Sequence, residues 1–236
     1  MGEQNKISPA KSLRQLVFSA VFLLVISSLL FFVAGDWHWM EGWVFTAIYI
    51  AGSLWIVVYL YLGDPDLLNE RFKAGAQKGQ STFDHIIIMM IVAAYTTWYI
   101  LMPLDAKRFH FSPEFPVWIK IVGAISVALM FVIFFFTFKE NSFAAPVVKI
   151  QEERGQKVIS SGVYGVVRHP LYAGGIFLFL GAPMLLGSLW GLIPGAALIV
   201  ILAVRSISEE ETLKRGLEGY DDYMKKVRWR FIPYIF

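Results

Sequence analysis

Five apolar runs, at 16–34, 43–62, 86–104, 117–138 and 171–207, dominate the 236-residue chain. About 20 apolar residues in helical form cross a bilayer. A backbone in hydrocarbon must satisfy its own hydrogen bonds, so each run predicts a helix. The last run, 37 residues long, is too long for one crossing. Gly187-Ser188 at its middle predicts a turn, and hence a hairpin of two short helices. The expected fold is therefore all-α, a polytopic integral membrane protein with about six transmembrane helices. Composition agrees: 57% of residues are apolar and only 17% charged, against roughly 45–50% and 25% in soluble domains. A water-soluble enzyme and a disordered chain are both excluded.

The first run follows Lys6, Lys11 and Arg14, as a signal peptide would, but its length and the lack of a small-residue cleavage site before Asp36 favour a retained anchor. Lys6 stands where N-myristoylation wants Ser or Thr. The absence of cysteine removes disulfides, thiolate metal sites and a cysteine nucleophile. His38, His85, His110 and His169 are scattered, so no metal is expected; the first three read as interface residues. A net charge of +3 does not suggest nucleic acid. Residues 66–72 read as a short amphipathic surface helix, and no internal repeat or low-complexity segment is present.

Six spans place both termini on one side. Eighteen of the 21 lysines and arginines then share that side, leaving Lys107, Arg108 and Lys120 opposite. The positive-inside rule makes that face cytoplasmic, together with the 32-residue polar connector 139–170. The connector ends in Arg168-His169-Pro170, and the tail begins near Arg205; the hairpin brings both to the same face. A site there, half in the bilayer, would take a polar cofactor from one side and a lipid-like substrate from the other.

Ser161-Gly162-Val163-Tyr164-x-x-x-Arg168-His169-Pro170-Leu171-Tyr172-x-Gly174 resembles the signature of the isoprenylcysteine carboxyl methyltransferases, in a prokaryotic-type form. So do Arg205-x-x-x-Glu209-Glu210, Tyr220-x-x-Tyr223 and Ile232-Pro233. Phospholipid methyltransferases share a looser form. The likeness covers about residues 140–236; an isolated RHP is weak, but RHPxYxG with RxxxEE is specific. Val163, Gly165 and Val166 stand where many relatives have Pro and larger aromatic or basic residues.

The resemblance implies S-adenosyl-L-methionine (SAM) as methyl donor, with S-adenosyl-L-homocysteine as product. It implies cofactor contacts from Gln156, Lys157, Val158, Ile159, Tyr164, Arg168, His169, Pro170, Leu171, Tyr172, Glu209 and Glu210. Arg205 would meet the substrate, so that Arg205 and Glu209 form the catalytic pair. The acceptor would be lipidic or prenylated, most simply a carboxylate. The chain then divides into an N-terminal part, 1–116, and a methyltransferase core, 117–236, comprising helix four, connector 139–170, hairpin 171–207 and tail 208–236.

The residue types suit this chemistry. A carboxylate such as Glu209 matches a ligand bearing an ammonium and a ribose diol. Arg168 and His169 offer donors, and Tyr164 and Tyr172 offer aromatic faces. Gly162, Gly174 and Gly175 allow close backbone approach. Displacement at a methyl carbon depends chiefly on positioning. A carboxylate acceptor needs no base and could be oriented by Arg205, whereas an amine would need Glu209 or Glu210 as base. On this reading Glu209→Gln weakens SAM binding, and Arg205→Ala abolishes turnover while sparing the cofactor.

Plainer readings stand beside these. Arg205 and Glu209, four apart, also suit an exposed ion pair, and Glu211 a solvated one. Arg168-His169-Pro170 alone suits a basic helix flank with Pro in the first turn. Tyr172, Trp190 and Trp229 suit the interface, and the basic residues at 225–230 suit anionic headgroups. Pro183 and Pro194 would distort the hairpin helices. Rival functions are a phospholipid or amine N-methyltransferase, an NADPH-dependent sterol-type reductase, and a non-enzymatic transporter or scaffold. A reductase wants more basic residues for the cofactor phosphates; a transporter wants mid-span charge, which spans one to four lack.

Overall fold

The computed structural model describes residues 9–73, 77 and 79–236, with side chains from residue 13 onward. Met1-Gly2, Lys6 and Lys78 lie outside the described residues, as does the side chain of Lys11. The elements are α1 (Pro9–Ala34), α2 (Met40–Gly63), α3 (Pro65–Arg71), α4 (Thr82–Pro103), α5 (Val117–Glu140), α6 (Pro170–Leu186), α7 (Leu192–Gly216) and α8 (Tyr220–Lys226). Five of them, α1, α2, α4, α5 and α7, are long and apolar enough to cross a membrane. The described residues contain no strand.

The sixth apolar helix, α6, is the hub of the bundle. It contacts α5, α7, α2 and α4, whereas α1 packs outside them on α2 and α4. It has 17 residues, about 26 Å at 1.5 Å per residue, and is mostly buried. The hairpin arms are therefore unequal. α6 is short, but α7 has 25 residues and carries Arg205, Glu209, Glu210 and Glu211 beyond its apolar half. The turn falls where the sequence places it: Gly187 takes φ 80°, the left-handed conformation that ends a helix. Pro194 does not distort α7, because it is the third residue of the helix, where no intrahelical acceptor is lost.

Glycine brings α5 and α6 together. A Cβ on Gly123 would lie 2.4 Å from the Leu185 backbone nitrogen and 2.6 Å from the Gly181 carbonyl oxygen. Small residues permit such backbone approach where lipid removes the hydrophobic drive for helix association. Gly123→Val is expected to cost at least the ~1–3 kcal/mol of an overpacked core. Thermal melting in detergent would show it as a lowered midpoint; an unchanged midpoint would mean the two helices slide apart freely.

The end of the bundle remote from the connector is fixed by one carboxylate. A π-helical turn, Leu104–Arg108, continues α4 and buries Asp105 completely. Its Oδ2 accepts from Ser112 Oγ at 2.7 Å, Ser188 Oγ at 2.6 Å and Trp190 N at 3.2 Å, tying the hairpin turn to α4. Lys120 pairs there with Glu41 at 2.6 Å and Lys107 with Asp36 at 2.9 Å. With that end held, the opposite ends of α4, α5, α6 and α7 frame the site.

Candidate active site

Pro170 opens α6, and the two residues before it join the chain's last segment. The backbone N–H of Arg168 donates to Trp229 O at 2.9 Å and that of His169 to Arg230 O at 2.7 Å. Arg168 Nη1 donates to the carbonyls of Val227 and Arg228, both at 2.7 Å. Its Nε donates to Glu210 Oε1 at 2.7 Å, the hairpin contact that the sequence predicts between connector and tail. Glu210 also accepts from Arg230 Nε at 3.0 Å and lies 3.2 Å from His169 Nε2.

These contacts correct one expectation. Glu210 does not line the adjacent cavity; it is buried, with both oxygens committed to the tail and the RHP segment. Successive helical residues point about 100° apart. Glu209 therefore faces the cavity and Glu210 faces away from it.

The cavity has a volume of about 530 Å³, within the range of small-molecule sites. Gln156, Lys157, Val158 and Ile159 of the connector line it, with Tyr164 from the 3-10 turn Gly162–Gly165. Residues 168–172 add the head of α6, and Arg205 and Glu209 the face of α7. Every other candidate site residue is thus at the cavity. Its inner wall is apolar, formed by Ile88, Ile91, Phe134, Leu178 and Leu202. Gly162 turns the chain with φ 55°, and a Cβ there would lie 2.6 Å from the Glu140 carboxylate, which accepts from Ser161 Oγ at the same distance.

Glu209 is the single carboxylate among the lining residues, facing Arg71, Lys149, Lys157, Arg168 and Arg205. Tyr172 Oη donates to its Oε2 at 2.7 Å, and His169 Nδ1 lies 3.7 Å from the same oxygen. The imidazole and phenol are parallel, 5.2 Å apart. Tyr172 is thereby a cavity residue and not an interface aromatic. Asn141 Nδ2 donates to Tyr164 Oη at 2.9 Å, and Tyr223 Oη to Tyr164 O at 2.8 Å. Burial raises the phenols of Tyr164, Tyr220 and Tyr223 above their ordinary range, so all three remain neutral donors at physiological pH.

Arg205 is not in an ion pair with Glu209. Its Nε donates to Asp84 Oδ1 at 3.0 Å and its Nη2 to Pro146 O at 2.6 Å. Asp84 heads α4, where Ser81 Oγ caps its backbone N–H at 3.0 Å, and its Oδ2 accepts from Val148 N at 3.2 Å. Asp84 is not among the residues expected from the sequence, although a carboxylate at the head of an apolar run is a visible signal. Asn141 and Arg71 are not among them either, and their only signal is polarity at a helix end. Glu211 is on the surface, 3.6 Å from Lys214.

Among the described residues, no group of three His, Asp or Glu side chains could hold a metal ion. The family model described as phospholipid methyltransferase matches residues 118–218. That stretch contains α5, the connector, α6 and α7, so most of the cavity wall comes from a segment similar to membrane methyltransferases. No curated protein matches the chain.

Proposed function

We propose that the protein is an integral membrane methyltransferase that uses SAM to methylate a lipidic or prenylated acceptor, in the first instance a carboxylate of the isoprenylcysteine type. The observation that carries this reading is a single cavity with the Glu209–Tyr172–His169 cluster on one wall and an apolar wall from α4, α5 and α6 on another. The similarity at 118–218 supports the reaction class. The donor set fits the cofactor: one carboxylate, a parallel imidazole–phenol face and neutral phenols. SAM supplies a methyl carbon on a sulfonium, leaving as S-adenosyl-L-homocysteine.

Glu209, oriented by the Tyr172 hydroxyl, holds an ammonium or ribose hydroxyl through charge-assisted bonds. Gln156 to Ile159 of the connector, and residues 168–172 at the head of α6, would hold the cofactor on opposite sides of the cavity. Arg205, fixed by Asp84, directs an acceptor oxygen toward the methyl carbon. A carboxylate acceptor is ionised at neutral pH and needs no base. The phospholipid methyltransferase similarity favours an amine acceptor as second reading; Glu209 is then the base, because the oxygens of Glu210 are occupied. The lysine and arginine asymmetry supports a cytoplasmic position for the cavity and both termini. Residues 117–236 form the methyltransferase core, and 1–116 add the N-terminal helices together with Arg71, Asp84, Ile88 and Ile91 at the site.

Calorimetric titration of the detergent-purified protein with S-adenosyl-L-homocysteine and with NADPH tests the reading. S-Adenosyl-L-homocysteine is expected to bind saturably. Glu209→Gln is expected to weaken it by about tenfold or more, the effect of a hydrogen bond to a charged group. Binding of NADPH alone would place the protein among reductases, and binding of neither would remove the enzymatic reading.

A further inference from the structure

Arg168, Arg205 and Lys149 each face the cavity with a carboxylate of their own: Glu210 at 2.7 Å, Asp84 at 3.0 Å and Glu70 at 3.2 Å respectively. Among the described residues two lining cations have no such partner: Lys157, which is exposed to solvent, and Arg71, half-buried at the end of α3. Among the described residues no carboxylate lies within 4.0 Å of its guanidinium. Its Nη1 donates to Ala144 O at 3.0 Å, and its guanidinium carbon sits over the Phe138 ring, 4.5 Å from the centroid. Phe138 in turn packs edge-on against Phe134, one turn down α5 on the apolar wall, at 6.0 Å. Burial lowers the Arg71 pKa to about 10, so the group stays charged at neutral pH.

A desolvated cation without a counter-ion is costly unless a ligand brings the anion. A guanidinium presents several N–H groups in a plane suited to carboxylate or phosphate oxygens. The Glu209–Tyr172–His169 cluster comes from α7, α6 and the residue just before α6, whereas Arg71 comes from α3 and stands on Phe138 of α5. We infer that Arg71 recognises the anionic head of the acceptor, an amphiphile whose apolar chain runs along the Phe134, Ile88 and Ile91 wall of the cavity and whose head is a carboxylate or phosphate. This assignment rests on the methyltransferase reading for the acceptor's role. It adds a specificity-determining residue from outside the stretch similar to known methyltransferases.

Three probes with one common chain test it: S-farnesylthioacetate, farnesyl phosphate and farnesol, each titrated against the full chain in maltoside micelles. At least one anionic probe is expected to bind about tenfold more tightly than farnesol, as charge-assisted bonds to a guanidinium would give. Arg71→Gln should erase that margin while S-adenosyl-L-homocysteine affinity changes by less than about twofold; Arg71→Lys should keep part of it. The anion with the larger margin identifies the source, carboxylate or phosphate head. No margin in the wild type, or a margin that survives Arg71→Gln, would overturn the assignment. So would loss of S-adenosyl-L-homocysteine binding in both variants, since the side chain would then serve the connector and not a ligand. Failure of the wild type to bind S-adenosyl-L-homocysteine would count against the methyltransferase reading instead, and the anion margin would still read out.

Discussion

Glu210→Gln is expected to lower stability by about 3–5 kcal/mol, the usual consequence of removing one partner of a buried ion pair. The side chains of Arg168 and Glu210 are only 5% and 3% exposed. Glutamine keeps the shape but removes the charge, leaving the Arg168 guanidinium without a counter-ion. The damage is not confined to one contact. Glu210 also accepts from Arg230, and Arg168 holds two carbonyls of the tail. The segment 227–230 should therefore loosen, and His169 should lose its positioning beside Glu209. Glu211→Gln, one residue on but exposed, is the control and should stay within about 0.5 kcal/mol of the wild type. Thermal melting with limited proteolysis of the tail separates the two variants. Equal midpoints would show that the buried pair contributes nothing.

The contrast between Glu209 and Glu210 also marks how far the sequence can be read. The RxxxEE pattern locates two carboxylates near the RHP segment, and the Gly187-Ser188 turn explains why they meet. Which of the two faces the cavity depends on the rotation of α7, and that is fixed by a tail that pairs with residues some 60 positions earlier. Nothing local in the sequence encodes that pairing. The spans themselves were legible because lipid imposes length and polarity so strictly. The central place of α6 was not. A helix that is apolar all round suits a bundle core and a lipid-facing position equally, so periodicity cannot separate them. Arg205 shows the same limit for charges: helical spacing offers Glu209 as partner, yet the pair forms with Asp84, 121 residues away.

That pair carries the second large effect. Asp84 and Arg205 are 3% and 11% exposed at the side chain, and together they join α4, α7 and the connector. Asp84 Oδ1 accepts from Arg205, while Oδ2 accepts from Gln80 Nε2 at 2.8 Å and from Val148 N at 3.2 Å. In Asp84→Asn the amide must turn its NH2 either toward the guanidinium or toward the Val148 N–H. In both orientations a donor meets a donor, and Arg205 is left uncompensated. A loss of about 3–5 kcal/mol is expected, and S-adenosyl-L-homocysteine affinity should fall as the connector comes away from α4. By the same argument Arg205→Ala should not spare cofactor binding, because it strands Asp84 and frees Pro146. Replacing both, as Asp84→Leu with Arg205→Met, removes the charges together. Stability should then return to within about 1 kcal/mol of the wild type, since an apolar pair can replace a buried ionic one. Methyl transfer should not return, because no guanidinium remains on the cavity face of α7 to direct the acceptor. Recovery of both would make Arg205 a structural residue alone; recovery of stability without turnover would assign it to the reaction.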